Sequence, residues 1–218
     1  MKAFDAVLID MDGTLTDSEP LWHSAEHELI ESYDKVVDPE IQKTFTGVDT
    51  PTMIHKLRKA YGIKESHEVL YATLSSRINN LLKSVEARAG AADFLSYLEK
   101  RDIPTALVSN SSVEIIETSL SSQPWKDSFK GRFSAEHVEN AKPAPDLYLL
   151  AAKKLGAEPA KCLVLEDSLT GIRAGVRAGM TCAAIPSDEE PDFDAFRALT
   201  PHVFSTLYEV MAWLEEEQ

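Results

Sequence analysis

The sequence predicts an α/β fold, a parallel sheet with helices on both faces, broken after its first strand by a block of helices. Three observations predict it. The run Ala6-Val7-Leu8-Ile9 is uniformly apolar and closes in turn residues, as a strand buried on both faces would be. From Pro20 to about Val85 only helical periodicity is present. Beyond Gly90, strand-like and helix-like segments alternate, which implies parallel strands joined by crossover helices.

The elements follow in order. Residues 6–10 form the first strand. In the helical block Leu21, Trp22, Ala25, Leu29 and Tyr33 recur at helix spacing. Thr50-Pro51 reads as an N-cap with proline at the first helical position, and Gly62 stops that helix. A third helix carries Val69, Leu70, Leu74, Ile78, Leu81, Leu82 and Val85. After Gly90 the pattern predicts a helix at 91–100, a strand at 105–109 and a helix at 113–121. A short strand at Phe133 and a helix at 146–155, stopped by Gly156, come next. Then follow a strand at 162–166, a helix at 169–178 before Gly179, and a strand at 181–185. A short strand near Val203-Phe204 and a helix at 207–216 close the chain. The acidic stretch 188–192 reads as a solvated loop, and the glutamates at 215–217 as a frayed helix end.

The chain has 218 residues, 44% hydrophobic and 27% charged, enough for one full domain and a smaller one. Its net charge of −14 makes nucleic acid or an anionic membrane an unsuitable partner. Distant surface charge is screened, so a small anionic substrate stays compatible, provided a local cation holds it. The two cysteines, Cys162 and Cys182, lie in apolar runs and read as buried thiols of a reducing compartment. No signal-like opening and no bilayer-length apolar run is present, so a soluble cytoplasmic protein is expected. No interface signal stands out, and a monomer is expected.

In an open parallel sheet, ligands bind beyond the carboxyl ends of the strands, and the polar residues gather there. Asp10 ends the first strand, Ser109 and Asn110 end "TALVS", and Glu166 and Asp167 end "CLVLE". Lys142 lies in the connection "ENAKPAP" before a helix. Carboxylates converging on one crevice repel one another and call for a cation; hard oxygen ligands suit Mg²⁺. A strand-end carboxylate can be both metal ligand and nucleophile, since it needs no base to activate it. A second, two residues on at Asp12, can give and take a proton over the same site. Gly13 allows a tight turn and a close approach to a phosphate oxygen, and Thr14 can fix the loop by its hydroxyl. The bland alternatives are turn and capping roles for these same residues, which are compatible with anion binding at a helix N-terminus.

"DMDGTLTDSE" resembles the first motif of the haloacid dehalogenase-like hydrolase superfamily. "LVSNSS", "AKPAPDLY" and "LEDSLTGIRAGVRAG" resemble the second, third and fourth, in the family's order. The resemblance implies a Rossmann-like core at 1–16 and 87–218, with a small helical cap domain inserted at 17–86. It further implies that Asp10 attacks phosphorus, becoming an aspartyl phosphate, and that Asp12 protonates the leaving alcohol and then activates water. Asp10, the main-chain carbonyl of Asp12, and Asp167 would hold Mg²⁺, with Glu166 ligating directly or through water. Gly13, Ser109, Asn110 and Lys142 would contact the phosphoryl group.

Asp12 argues against dehalogenation, because the carbon–halogen hydrolases lack the second aspartate. The sugar phosphomutases of the family carry an arginine where this chain reads "GVDTPTM", so a phosphatase acting on a small phosphorylated metabolite, a sugar phosphate, is favoured over a mutase. Arg58, Lys59 and Arg77 leave the mutase open, and a non-enzymatic domain binding metal or phosphometabolite is a third reading. Trp22 is expected to pack within the cap and His23 to face solvent or hold a structural hydrogen bond. Glu19 stands equally as a site-facing or a surface residue.

Overall fold

The computed structural model describes residues 4–187 and 191–216. Most of the predicted acidic loop and the end of the glutamate run therefore lie outside the described residues. Strands β1 (Ala6–Ile9), β2 (Thr105–Ser109), β3 (Gly131–Ser134), β4 (Cys162–Glu166), β5 (Thr181–Ala184) and β6 (His202–Val203) form one sheet in the order β3-β2-β1-β4-β5-β6. All its pairings are parallel. The strand order reverses at β1, so the crevice at a parallel sheet's switch point lies over its carboxyl end.

Side chains of each strand alternate between two cores. Val7, Ile9, Leu107, Leu163 and Leu165 pack with α5 (Ala91–Glu99), α6 (Val113–Ser121) and α10 (Leu207–Glu216). Ala6, Leu8, Ala106, Val108 and Val164 pack with α7 (Asp146–Leu155), α8 (Leu169–Arg177) and α9 (Phe193–Arg197). All four β1 residues are buried, which removes water from both faces of the strand that carries Asp10. Burying each large side chain is worth roughly 1.5–3 kcal/mol, so this strand is a rigid platform.

Four helices separate β1 from α5: α1 (Glu19–Glu31), α2 (Pro39–Gln42), α3 (Thr50–Tyr61) and α4 (His67–Leu82). α4 buries Leu70, Leu74, Ile78 and Leu82, one residue per turn. It ends earlier than the apolar pattern predicts, and Val69 and Leu81 lie off its buried stripe. α3 starts at Thr50, the residue expected to cap it, and the cap falls one residue earlier: Asp49 accepts from Thr52 N at 2.9 Å. Carboxylates at such a position satisfy an orphan N–H that a residue in the first turn cannot. Gly62 closes α3 with φ 63°, as expected of a C-terminal glycine. Tyr33 falls beyond the end of α1.

The chain enters and leaves this helical segment side by side. Asp17 N donates to Glu86 O at 2.8 Å, and Arg88 N to Leu15 O at 2.9 Å. No helix among the described residues is long and apolar enough to cross a membrane.

Candidate active site

β1 ends at Ile9, one residue short of the expected strand, and the buried Asp10 follows it directly. Asp10 N is held by Leu165 O at 2.9 Å, so the start of the Asp10-to-Thr14 loop is fixed to the neighbouring strand. The register that pairs Ile9 with Leu107 and Leu165 brings Asp10 beside the ends of β2 and β4. Lys142 reaches this point from the connection before α7. Its Nζ lies 2.7 Å from Asp10 Oδ1, 2.6 Å from Glu166 Oε1 and 2.7 Å from Val108 O. Burial pulls the lysine pKa down, but the carboxylates of Asp10 and Glu166 outweigh it and hold it above the ordinary value. The ammonium is therefore charged.

One cation does not balance the carboxylates around it. One oxygen each of Asp10, Glu166 and Asp167 lies within 4.8 Å of the others. Burial, then the charge of Glu166, pushes the Asp10 carboxyl well above the usual range, against the pull of Lys142. Burial and Glu166 raise Asp167 likewise, opposed by its hydrogen bond from Ser187. A hard divalent cation would relieve both.

The three acids are not equivalent. Glu166 is engaged on both oxygens: Oε1 accepts from Lys142 and from the Tyr148 hydroxyl at 2.7 Å, and Oε2 from Ser168 Oγ at 3.1 Å. Asp167 accepts from Ser187 at 2.6 Å and, at 3.5 Å, from Thr14. Two glycines make room. Gly13 has φ +74°, and a Cβ there would fall 2.0 Å from Asp167 Oδ2; a Cβ on Gly171 would fall 1.8 Å from the Glu166 carboxyl.

Asp12 lies in the same pocket, two residues along, and is clamped from two sides. Its Oδ1 accepts from Ser18 Oγ at 2.9 Å and from the Trp22 indole at 3.4 Å; its Oδ2 accepts from Ser109 Oγ at 3.2 Å and Ser111 Oγ at 2.9 Å. Ser18 is the N-cap residue of α1, yet its hydroxyl caps no helical N–H and turns to Asp12 instead. Asn110 joins two loops: its amide donates to Gly47 O and Lys142 O and accepts from Lys142 N, each at 3.0 Å.

Asp10, Asp12, Gly13, Ser109, Asn110, Lys142 and Asp167 all line one cavity, and Glu166 stands just behind it, fully buried. Trp22 both packs against the apolar core and lines the cavity, so the two expectations for it are joined. His23 lines the cavity rather than only facing solvent, 3.9 Å from Glu19. Glu19 faces the site, accepting from Ser187 at 2.9 Å. Arg88 was not foreseen; it donates to Gly13 O and, at 3.1 Å, to Ile185 O, bracing the loop of the two aspartates. Glu26 was also missed, although a carboxylate between Trp22 and Leu29 on the apolar stripe of α1 was a visible signal.

A family model for the haloacid dehalogenase-like hydrolases matches residues 7–185. The chain belongs to this family. Among relatives of the hydrolase, hexitol phosphatase B of Escherichia coli (strain K12) is 29% identical over 210 residues, 95% of this chain and 94% of the other. The bifunctional riboflavin kinase/FMN phosphatase of Arabidopsis thaliana is 32% identical over 192 residues, but this hydrolase spans only 49% of its length. A solved HAD family hydrolase from Deinococcus radiodurans R1, with bound phosphate and sodium, is 30% identical with a TM-score of 0.78. The match covers 100% of this chain and 97% of that one.

Proposed function

We propose that the chain is a Mg²⁺-dependent phosphomonoester hydrolase acting on a small phosphorylated metabolite, a sugar phosphate, through an aspartyl phosphate on Asp10. The observation that carries this reading is the pairing of Asp10 with Lys142 at 2.7 Å, with Asp12 turned into the same cavity. The hexitol phosphatase relative supports the substrate class.

In this reading an Asp10 carboxylate oxygen attacks phosphorus as the bond to the leaving alcohol breaks, and Asp12 gives that alcohol its proton. Asp12 then removes a proton from water, whose oxygen attacks the same phosphorus and frees phosphate and the Asp10 carboxylate. Lys142 neutralises Asp10 and the phosphoryl oxygens, and Ser109 turns its hydroxyl from Asp12 toward them. The backbone of Asn110 completes the cradle; Gly13, expected to contact the phosphoryl group, instead donates its N–H to Thr16 O at 2.9 Å and gives its carbonyl to Arg88, so it shapes the loop and leaves room for Asp167. Asp10, Asp167 and the carbonyl of Asp12 would hold the metal, which when bound supplies positive charge to the phosphoryl oxygens and lowers repulsion among the acids. Glu166, whose oxygens also accept from Lys142, Tyr148 and Ser168, would join them directly or through water and holds Lys142 in place.

We further propose that residues 17–86 act as a cap that opens for substrate and closes to limit water, and that the enzyme works as a monomer in the cytoplasm. Cys162 and Cys182 suit a reducing compartment: both are free and buried, and burial pushes their thiols up to about 11 and about 12. A mutase would need a second phosphate anchor. On the helical side of the cavity no lysine or arginine is present among the described lining residues. The test is a Mg²⁺-dependent screen of phosphorylated metabolites together with Asp10→Asn. Release of phosphate that disappears in the variant supports the reading; phosphate moved between positions of one sugar makes the enzyme a mutase, and turnover surviving in Asp10→Asn overturns the mechanism.

A further inference from the structure

Helix α1 runs along the cavity and presents Ser18, Trp22 and Glu26 at four-residue intervals, one helix face. Each interval advances about 6 Å. The first two residues bond to Asp12, the proposed proton donor to the leaving group. Glu26 therefore stands one step beyond the reacting end, where the organic part of a substrate would extend.

Glu26 is 4% exposed and belongs to a relay. The His27 ring nitrogen Nε2 lies 2.9 Å from Gln42 Oε1, and Gln42 Nε2 donates to Glu26 Oε2 at 2.9 Å. The relay has one consistent polarity: imidazole N–H to amide oxygen, amide N–H to carboxylate. Among the described residues no hydrogen bond occupies Glu26 Oε1, so an acceptor is presented in the cavity wall. Apart from His23, which lies 3.9 Å from Glu19, the cavity's basic side chain among the described residues is Lys142, and that lies at the phosphate end.

We infer that Glu26 is a specificity-determining residue, accepting a hydrogen bond from a hydroxyl of the substrate's organic part, and that with Glu19 it selects a polyol whose phosphate is its sole anionic group. A second phosphate or a carboxylate would meet Glu26 and Glu19 with no lysine or arginine among the described lining residues there to pair it, and would leave its own charge uncompensated in a buried place. A hydroxyl supplies the donor that Oε1 lacks. Gln42 is a positioning residue, acting through Glu26. The inference rests on the phosphatase reading but can fail separately from it.

The experiment measures binding by calorimetry, with Mg²⁺ present, in the Asp10→Asn background, so that no turnover is needed. The probes are a hexitol monophosphate, a hexose bisphosphate and phosphoglycolate. The monophosphate is expected to bind at least about tenfold more tightly than the other two, and Glu26→Gln to weaken it about tenfold or more, the size of a lost charged hydrogen bond. Gln42→Leu should weaken it in the same direction, and adding it to Glu26→Gln should have little further effect, because it acts through the same group. In the active enzyme Glu26→Gln should raise KM for the hexitol phosphate more than it lowers kcat. A monophosphate affinity unchanged within twofold by Glu26→Gln, or tighter binding of the bisphosphate, overturns the inference. Hydrolysis of an aryl phosphate by the wild-type chain tests the phosphatase reading independently.

Discussion

Replacing Glu26 by glutamine should make the protein more stable at alkaline pH. Burial is the main reason that the Glu26 carboxyl is pushed from the ordinary 4.5 to about 7, helped by the nearby Glu19 charge and opposed by the hydrogen bond from Gln42. Between these two values the folded chain binds more protons than the unfolded chain, so stability falls as pH rises through the window. The displacement of about 2.5 pH units corresponds to a penalty of about 3 kcal/mol, fully present above pH 7 and absent below about 4.5. Glutamine keeps the shape and an acceptor for Gln42 but has no charge to bury. Urea unfolding of both proteins at pH 5, 6, 7 and 8, without metal, isolates the effect, because Asp10 and Asp167 titrate in both and drop out of the difference. The variant should gain up to about 3 kcal/mol relative to wild type between pH 5 and pH 8, with unchanged m-values. A difference that is flat with pH, or that grows toward acid, refutes the reasoning.

Three other outcomes follow from the site. Asp12→Asn should lower kcat by roughly 10²- to 10⁴-fold while Mg²⁺ affinity, measured by calorimetry, persists, because the proposed metal ligand is its main-chain carbonyl. Chelation should abolish turnover, and Mg²⁺ restored at about 100 times its Kd should stabilise the fold by about 2.7 kcal/mol, read as a concentration-dependent Tm. Lys142→Ala leaves Asp10 and Glu166 buried without their cation and should destabilise the metal-free protein by about 3–5 kcal/mol in urea unfolding.

The core was readable because its signals are local. β2, α6, α7, β4 and α10 fall on the residues that periodicity and turn chemistry predict, and the strand ends carry their polar residues in plain sight. α2 and α9 were not foreseen; four and five residues are too few to show a helical period. The acids and the lysine could be named from motif and position, but their division of labour could not. That Glu166 is engaged on both oxygens depends on Lys142, Tyr148 and Ser168 meeting in space. Ser187 reaches Asp167 across 20 residues and Glu19 across 168, and Arg88 reaches Gly13 across 75; no short pattern encodes such partners. Glu26 was overlooked for a different reason: polar residues on helices are ordinarily solvated, and the relay through Gln42 that keeps this one buried is tertiary.

The paired hydrogen bonds between Leu15 and Arg88, and between Asp17 and Glu86, place the two ends of a long insertion next to each other. A chain whose ends already meet can lengthen or shorten between them at small entropic cost, only about 0.6 kcal/mol for each doubling of length. The junction is thus a natural grafting point. Recombination there could exchange one such insertion, the proposed cap, for another while the strand that leads to Asp10, the proposed nucleophile, keeps its neighbours and its register.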